Sequence, residues 1–335
     1  VHVGAGTYRE TVTLAASGSS GSPIQIIGDY SGAQTGDAGV VRITGSNNDQ
    51  TATRASCIVT GARNYVAVSG FQLDGCTSYA SNGASAGSDI SFSQMVFTAC
   101  GTSGSAYTVM VEGVNQARWS FDRCVWWAAE LGGAALWFTH SVLINDAAHT
   151  VSNCIMFGGT YASGVRMGLV GGVTVKNCYL SGMSRGIRYD GASAPSTANT
   201  VNNCILSGCQ DNSMYSQTAG AVVENYNAIG QSAARSNVTA GANSVTRLSL
   251  MDTRPLWVML YGGSLVSPLD LASYSSMVEY SSGTGAPSTD LRGASQTGSY
   301  REWGPLEYNA SLTTTGGGSS VALPVIGSAI VRGCD

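Results

Sequence analysis

Ser120-Phe-Asp-Arg-Cys124, Thr150-Val-Ser-Asn-Cys154, Thr174-Val-Lys-Asn-Cys178 and Thr200-Val-Asn-Asn-Cys204 are four versions of one phrase. The cysteines at 76, 100, 124, 154, 178 and 204 follow one another at intervals of 24, 24, 30, 24 and 26 residues. A repeat of this length means a solenoid, in which each unit buries its apolar face only by stacking on its neighbours. The frame extends forward to Val222-Val-Glu-Asn-Tyr226 and backward to Ser91-Phe-Ser-Gln-Met95 and Ala67-Val-Ser-Gly-Phe71. Each unit reads as a short alternating strand, a polar residue that is usually Asn, and an apolar run such as Cys154-Ile-Met-Phe.

Asn tolerates the left-handed backbone that a sharp bend between two strands needs. Asn153, Asn177, Asn203 and Asn225 are therefore predicted to stack at one corner, above an interior column of Phe71, Met95, Cys124, Cys154, Cys178, Cys204 and Tyr226. Cys76 and Cys100 fall five residues after their own frame positions and belong to a second column. With coils about 4.8 Å apart, roughly nine coils up to Gly230 would make a rod of about 45 Å.

Composition agrees. Gly accounts for 44 residues, Pro for only 7 and charged residues for 11%, a balance that favours strands and tight turns over helices. The net charge is −4, and Lys176 is the only lysine among 16 basic residues, so there is no polybasic stripe to attract nucleic acid. The longest apolar stretches, Pro255 to Tyr261 and Val321 to Val331, are far shorter than the roughly 20 residues that span a bilayer. Neither nucleic acid nor membrane insertion is expected.

The opening VHVGAGTYRETVTL, the following SPIQIIGDY, the Asn-Cys repeats and the later TDLRG and REWGPLEYN segments resemble right-handed parallel β-helix proteins of the pectin-lyase-like superfamily. The resemblance implies an all-β, right-handed parallel β-helix with an irregular C-terminal cap. It brings with it polysaccharide lyases and hydrolases, phage tailspikes and other virion appendages, and bacterial surface proteins. Residues 1–230 are assigned to the helix, 231–310 to final irregular coils and a cap, 311–320 to a Thr/Gly/Ser linker and 321–335 to an apolar tail. Such a tail either packs back on the cap or adds a strand to a neighbouring copy or larger assembly, so a homo-oligomer is one expectation.

Catalytic signatures are sparse. A glycosidase needs two carboxylates flanking the scissile bond, and the Asn-Thr-Asp, Asp-Asp, Gly-His-Gly and Arg-Ile-Lys signatures of pectin hydrolases are missing. Asp122, Glu130, Asp146 and Asp190 are scattered, whereas calcium-dependent lyases of the fold cluster theirs. His2, His140 and His149 share no metal-ligand spacing, and the cysteines form no close CxxC pair, so no cofactor or metal is implied. The cysteines serve as small buried apolar side chains.

One column invites a functional reading. Aligning Ala135-Leu-Trp137, Gly164-Val-Arg166, Gly186-Ile-Arg188 and Ser213-Met-Tyr215 turns Leu136, Val165, Ile187 and Met214 inward. Trp137, Arg166, Arg188 and Tyr215 then face outward in register, with Trp126, Trp127 and Asp190 nearby. Rings stack on sugar faces and forked guanidinium donors take hydroxyls or carboxylates. The same strip would also suit mutual stacking of its own members or a subunit interface. The leading expectation is a non-enzymatic structural or recognition rod outside the cell, as a virion appendage or capsid decoration with polysaccharide binding. The alternatives are a polysaccharide lyase or glycoside hydrolase, and a bacterial surface rod or adhesin.

Overall fold

The computed structural model describes residues 1–246, apart from 49–53, 84–86, 99, 101–106, 113–115, 130–133, 159–161 and 231–234, together with the short antiparallel pair Ser281–Ser282 and Tyr300–Arg301. The linker at 311–320 and the tail at 321–335 lie outside the described residues, as does most of the proposed cap. Among the described residues every regular element is a strand. They form three parallel sheets, here A, B and C, of nine, ten and nine strands. Strands three apart in the chain pair with one another, so the chain winds A to B to C and steps up one coil, a parallel β-helix.

One coil shows why the sequence folds this way. Thr150–Ser152 lies in sheet A, Ile155–Gly158 in sheet B and Ser163–Val170 in sheet C. Between the first two sits Asn153 with φ of 53°. Asn177 and Asn203 repeat it at 54° and 55°, and Gly70, Gln94 and Arg123 take the same position in earlier coils. The asparagines also form a ladder: Asn177 Nδ2 donates to Asn153 Oδ1 at 2.7 Å, and Asn153 Nδ2 donates to Asp122 Oδ1 at 2.9 Å.

Beneath this corner Phe71, Met95, Cys124, Cys154, Cys178 and Cys204 are fully buried, and the cysteines are free thiols. The choice of cysteine has a polar reason as well as an apolar one. Each thiol approaches the carbonyl two residues back, Cys154 to Ser152 at 3.0 Å, Cys178 to Lys176 and Cys204 to Asn202 at 3.2 Å. A weak S–H donor thus adds a second bond to a carbonyl that already accepts an N–H from the neighbouring coil, which Ala or Val could not do.

The column departs from the predicted register at its last member. Asn202 pairs with Asn225, so Asn225 lies within the strand Val222–Asn225 and Tyr226 takes the left-handed corner, with φ of 55°. The interior place below Cys204 falls to the fully buried Asn227. Its Oδ1 accepts the Cys204 N–H at 2.8 Å and its Nδ2 donates to Val201 O at 2.8 Å. The same one-residue shift puts Glu224 level with Val201, facing the core.

Glu224 is tolerated there because its oxygens are fully engaged. Arg235 Nη2 lies 2.7 Å away, the Gly241 N–H donates at 2.8 Å, Asn227 Nδ2 donates at 2.7 Å, and Ser244 adds its hydroxyl. A buried carboxylate left unpaired would cost several kcal/mol. Sheet B continues past this point, Ala228–Ile229 pairing with Val245–Thr246.

The middle of the helix is filled by aromatic stacks running coil to coil. Phe92 stacks on Phe121 at 5.4 Å, Phe97 on Trp126 at 4.8 Å and Phe138 on His149 at 4.7 Å. Trp126 is therefore a core residue, not a neighbour of the outward strip. Strand alternation explains this: Trp126 pairs with Phe97 and Met156, both interior.

Candidate ligand-binding face

The face builds from the register of sheet C. Leu136 pairs with Val165, Val165 with Ile187 and Ile187 with Met214, and all four are fully buried. Because side chains alternate along a strand, the residues that follow them face outward: Trp137, Arg166, Arg188 and Tyr215, paired in that order. The predicted inward and outward columns thus both hold in the register. The outward column is preceded by Asn82 and by Met110, which is buried, and is followed by Ser236.

Within the column the groups hold one another. Asp190, which follows the strand Arg185–Tyr189, bridges two arginines: Arg166 Nε donates to its Oδ2 and Arg188 Nε to its Oδ1, both at 2.7 Å. These side chains are largely covered, with 22% of Arg166, 28% of Arg188 and 20% of Asp190 open to solvent. The Arg166 guanidinium also sits over the Trp137 ring, 5.3 Å from its centroid. Asp190 fixes each arginine by one edge, and the triad carries a net charge of about +1.

Sequence reading missed the residues that frame the other side. Arg185 lies 4.4 Å over the Tyr215 ring and 3.7 Å from Asp211, which also accepts the Ser184 hydroxyl. The signal was available: Arg185 opens the same strand three residues before Arg188, level with Asn212. Glu112 was missed too. It pairs with Thr139, which pairs with Gly168, one coil below the level of Asp190. Glu112 and Asp190 share a column but stand three coils apart, about 14 Å at roughly 4.8 Å per coil.

The remaining candidates fall elsewhere. Trp127 belongs to the strand Val125–Ala129, and its side chain lies outside the described set, as does that of His140 on Ala134–Ile144. His149 is a core residue whose Nδ1 accepts the Trp119 N–H at 3.1 Å. Asp122 is occupied by Arg123, Ser152 and Asn153 on sheet A. Among the described residues no three His, Cys, Asp or Glu side chains come together in a set that could hold a metal ion.

No family model matches the chain, and no curated protein matches it at the sequence level. Among solved structures, the chain is similar to the crystal structure of pectate lyase Pel9A. The TM-score is 0.55 at 12% identity, over 92% of this chain and 86% of that one. At that identity the likeness speaks for architecture, and the chain has the parallel β-helix fold of the pectin-lyase-like proteins.

Proposed function

We propose that this protein is a rigid β-helical rod that binds an acidic polysaccharide along sheet C and does not cleave it. The observation that carries the reading is the outward register of Trp137, Arg166, Arg188 and Tyr215, one group per coil, with both arginines held by Asp190. A row of this kind offers flat faces to sugar rings and oriented guanidinium donors to carboxylates. The fold it shares with a pectate lyase is compatible with a polysaccharide partner.

The spacing of Glu112 and Asp190 speaks against their acting as a hydrolytic pair. Glycosidases place their two carboxyl groups about 5–9.5 Å apart, whereas Glu112 and Asp190 are separated by three coil spacings, about 14 Å. Asp190 is moreover committed to two arginines, one on each carboxylate oxygen. An exterior setting, on a virion or a bacterial surface, belongs to the same proposal, and self-association through the tail at 321–335 is its structural counterpart.

Incubating the full chain with polygalacturonate and with a neutral glucan tests it, with bound polymer and released oligosaccharide both measured. The expected result is salt-sensitive binding to polygalacturonate, weak binding to the neutral chain and no new reducing or unsaturated ends. Turnover that Arg188→Ala abolishes would replace the binding reading with an enzymatic one.

A further inference from the structure

Nearer the amino end, where sheet B turns into sheet C, thiols from three successive coils converge. Cys57 stands in the strand Ser56–Val59. Cys76 and Cys100 each follow a sheet B strand by two residues, after Gln72–Asp74 and Val96–Thr98, and the register of those strands sets one above the other. The Sγ atoms of Cys57 and Cys76 meet at 2.7 Å, closer than either comes to the Ile43 and Asp74 carbonyls. Cys57 is fully enclosed, Cys76 is 2% exposed and Cys100 is 9% exposed.

The backbone is built to let these two coils close. A Cβ on Gly45 would lie 2.7 Å from Gly75 O and 2.9 Å from Cys76 Sγ, and Gly75 itself takes a φ of 64°. Cys57 Sγ lies 3.2 Å from Asp74 O, which also accepts the Gly45 N–H at 2.9 Å. That carbonyl stays satisfied if the thiol hydrogen is lost, so closing a bond here orphans no buried acceptor there.

We propose that Cys57 and Cys76 form a redox pair that closes to a disulfide, clamping the second coil of the helix to the third. The oxidant is a small-molecule disulfide. The Cys76 thiolate attacks one of its sulfurs and expels a thiolate, leaving a mixed disulfide on Cys76. Cys57 then gives up its proton and attacks the Cys76 sulfur, expelling the second thiolate. Two protein thiols are oxidised, the reagent is reduced to two thiols, and the two protein protons end on them. Hydrogen bonding from the Cys100 and Cys57 thiols outweighs burial at Cys76 and holds its thiol down to about 5, which suits Cys76 to the attacking role. Local opening of the short N-terminal coils admits the reagent.

The test is a thiol map of the full chain after equilibration with glutathione disulfide. Trypsin cuts at Arg54, Arg63 and Arg118, which puts Cys57 on the peptide 55–63 and Cys76 with Cys100 on 64–118. The expected result is a 55–63 to 64–118 cross-link, two hydrogens lighter than the separate peptides, and seven alkylatable thiols of the chain's nine. The link persists in Cys100→Ser and is absent in Cys57→Ser and Cys76→Ser, and the oxidised wild type melts above the reduced form. Nine alkylatable thiols after oxidation would overturn the proposal. So would a link that Cys100→Ser abolishes, a glutathione adduct that never resolves, or stoichiometric zinc on the purified chain lost in Cys57→Ser. The wild-type map decides the matter even if a serine variant fails to fold.

Discussion

Sheet C carries arginine–carboxylate pairing on each of its two faces, and the comparison shows how one register assigns opposite duties. On the inner face the column Leu136, Val165, Ile187, Met214 ends at Arg235, which pairs with Met214 and meets the buried Glu224. On the outer face Arg166 and Arg188 share Asp190 while remaining partly open to solvent. The inner pair exists because two charges forced inside must neutralise each other. The outer triad keeps an edge in solvent, so breaking it costs folding less than breaking the inner pair does. Its ordered guanidinium groups are the ones the proposed polysaccharide contact uses.

Breaking the inner pair has the largest expected effect. Arg235→Ala leaves Glu224 buried without its partner and should cost about 3–5 kcal/mol in urea-induced unfolding. Replacing both, Glu224→Leu with Arg235→Met, should recover only part of that loss, because the apolar pair avoids the desolvation cost but deprives the Gly241 N–H and Asn227 Nδ2 of their acceptor. Next comes Ile187→Ala, one residue from Arg188 but pointing the other way. It should cost about 2–5 kcal/mol through the cavity it leaves, and the fraction that remains folded should bind polysaccharide as the wild type does.

Smaller is Asn177→Ala at the A–B corner, which places an ordinary side chain in the left-handed region for about 1–2 kcal/mol. Asn177→Gly should cost less, which separates backbone strain from the lost bond to Asn153.

The gentlest effect is expected at the Asp29 loop. Burial pushes the Asp29 carboxyl up, but the Gln34 and Thr35 N–H groups and the Ser31 and Thr35 hydroxyls outweigh it and hold the carboxyl well below its ordinary value. A group with a depressed folded pKa stabilises above its unfolded value, near 3.8, and loses that contribution as pH falls toward the folded one. Acid titration below pH about 4 should loosen the loop after Ile24–Gly28 in the wild type. Asp29→Asn should show the loosening already at neutral pH.

The fold was legible because a solenoid writes its structure once per coil. Three Asn-Cys phrases and the Arg123-Cys124 variant marked the corner, the cysteine column and the outward row of sheet C, and up to Cys204 the structure places all three where the repeat puts them. Legibility failed where the repeat changes. Val222-Val-Glu-Asn-Tyr226 looks like another copy, yet hydrogen bonds from Arg235, Gly241 and Ser244 make an inward Glu224 tolerable and slide the frame by one residue. Those partners lie 11–20 residues downstream, beyond the reach of a local pattern. Trp126 was misplaced for a related reason: a large aromatic at a strand start reads as surface or core alike until its stack on Phe97 is known. Cys57 escaped because it belongs to sheet C, off both periodic columns, and meets Cys76 only through the winding of the coil.

The outer face is the account's central claim, and the affinity of Arg188→Ala for polygalacturonate tests it most directly. Removing one oriented guanidinium should weaken binding by about 10- to 100-fold, the loss of one hydrogen-bonded charge contact, while the unfolding free energy changes by less than about 1 kcal/mol. Unchanged affinity in a variant that remains folded, or a loss of affinity matched by a loss of fold, would contradict it.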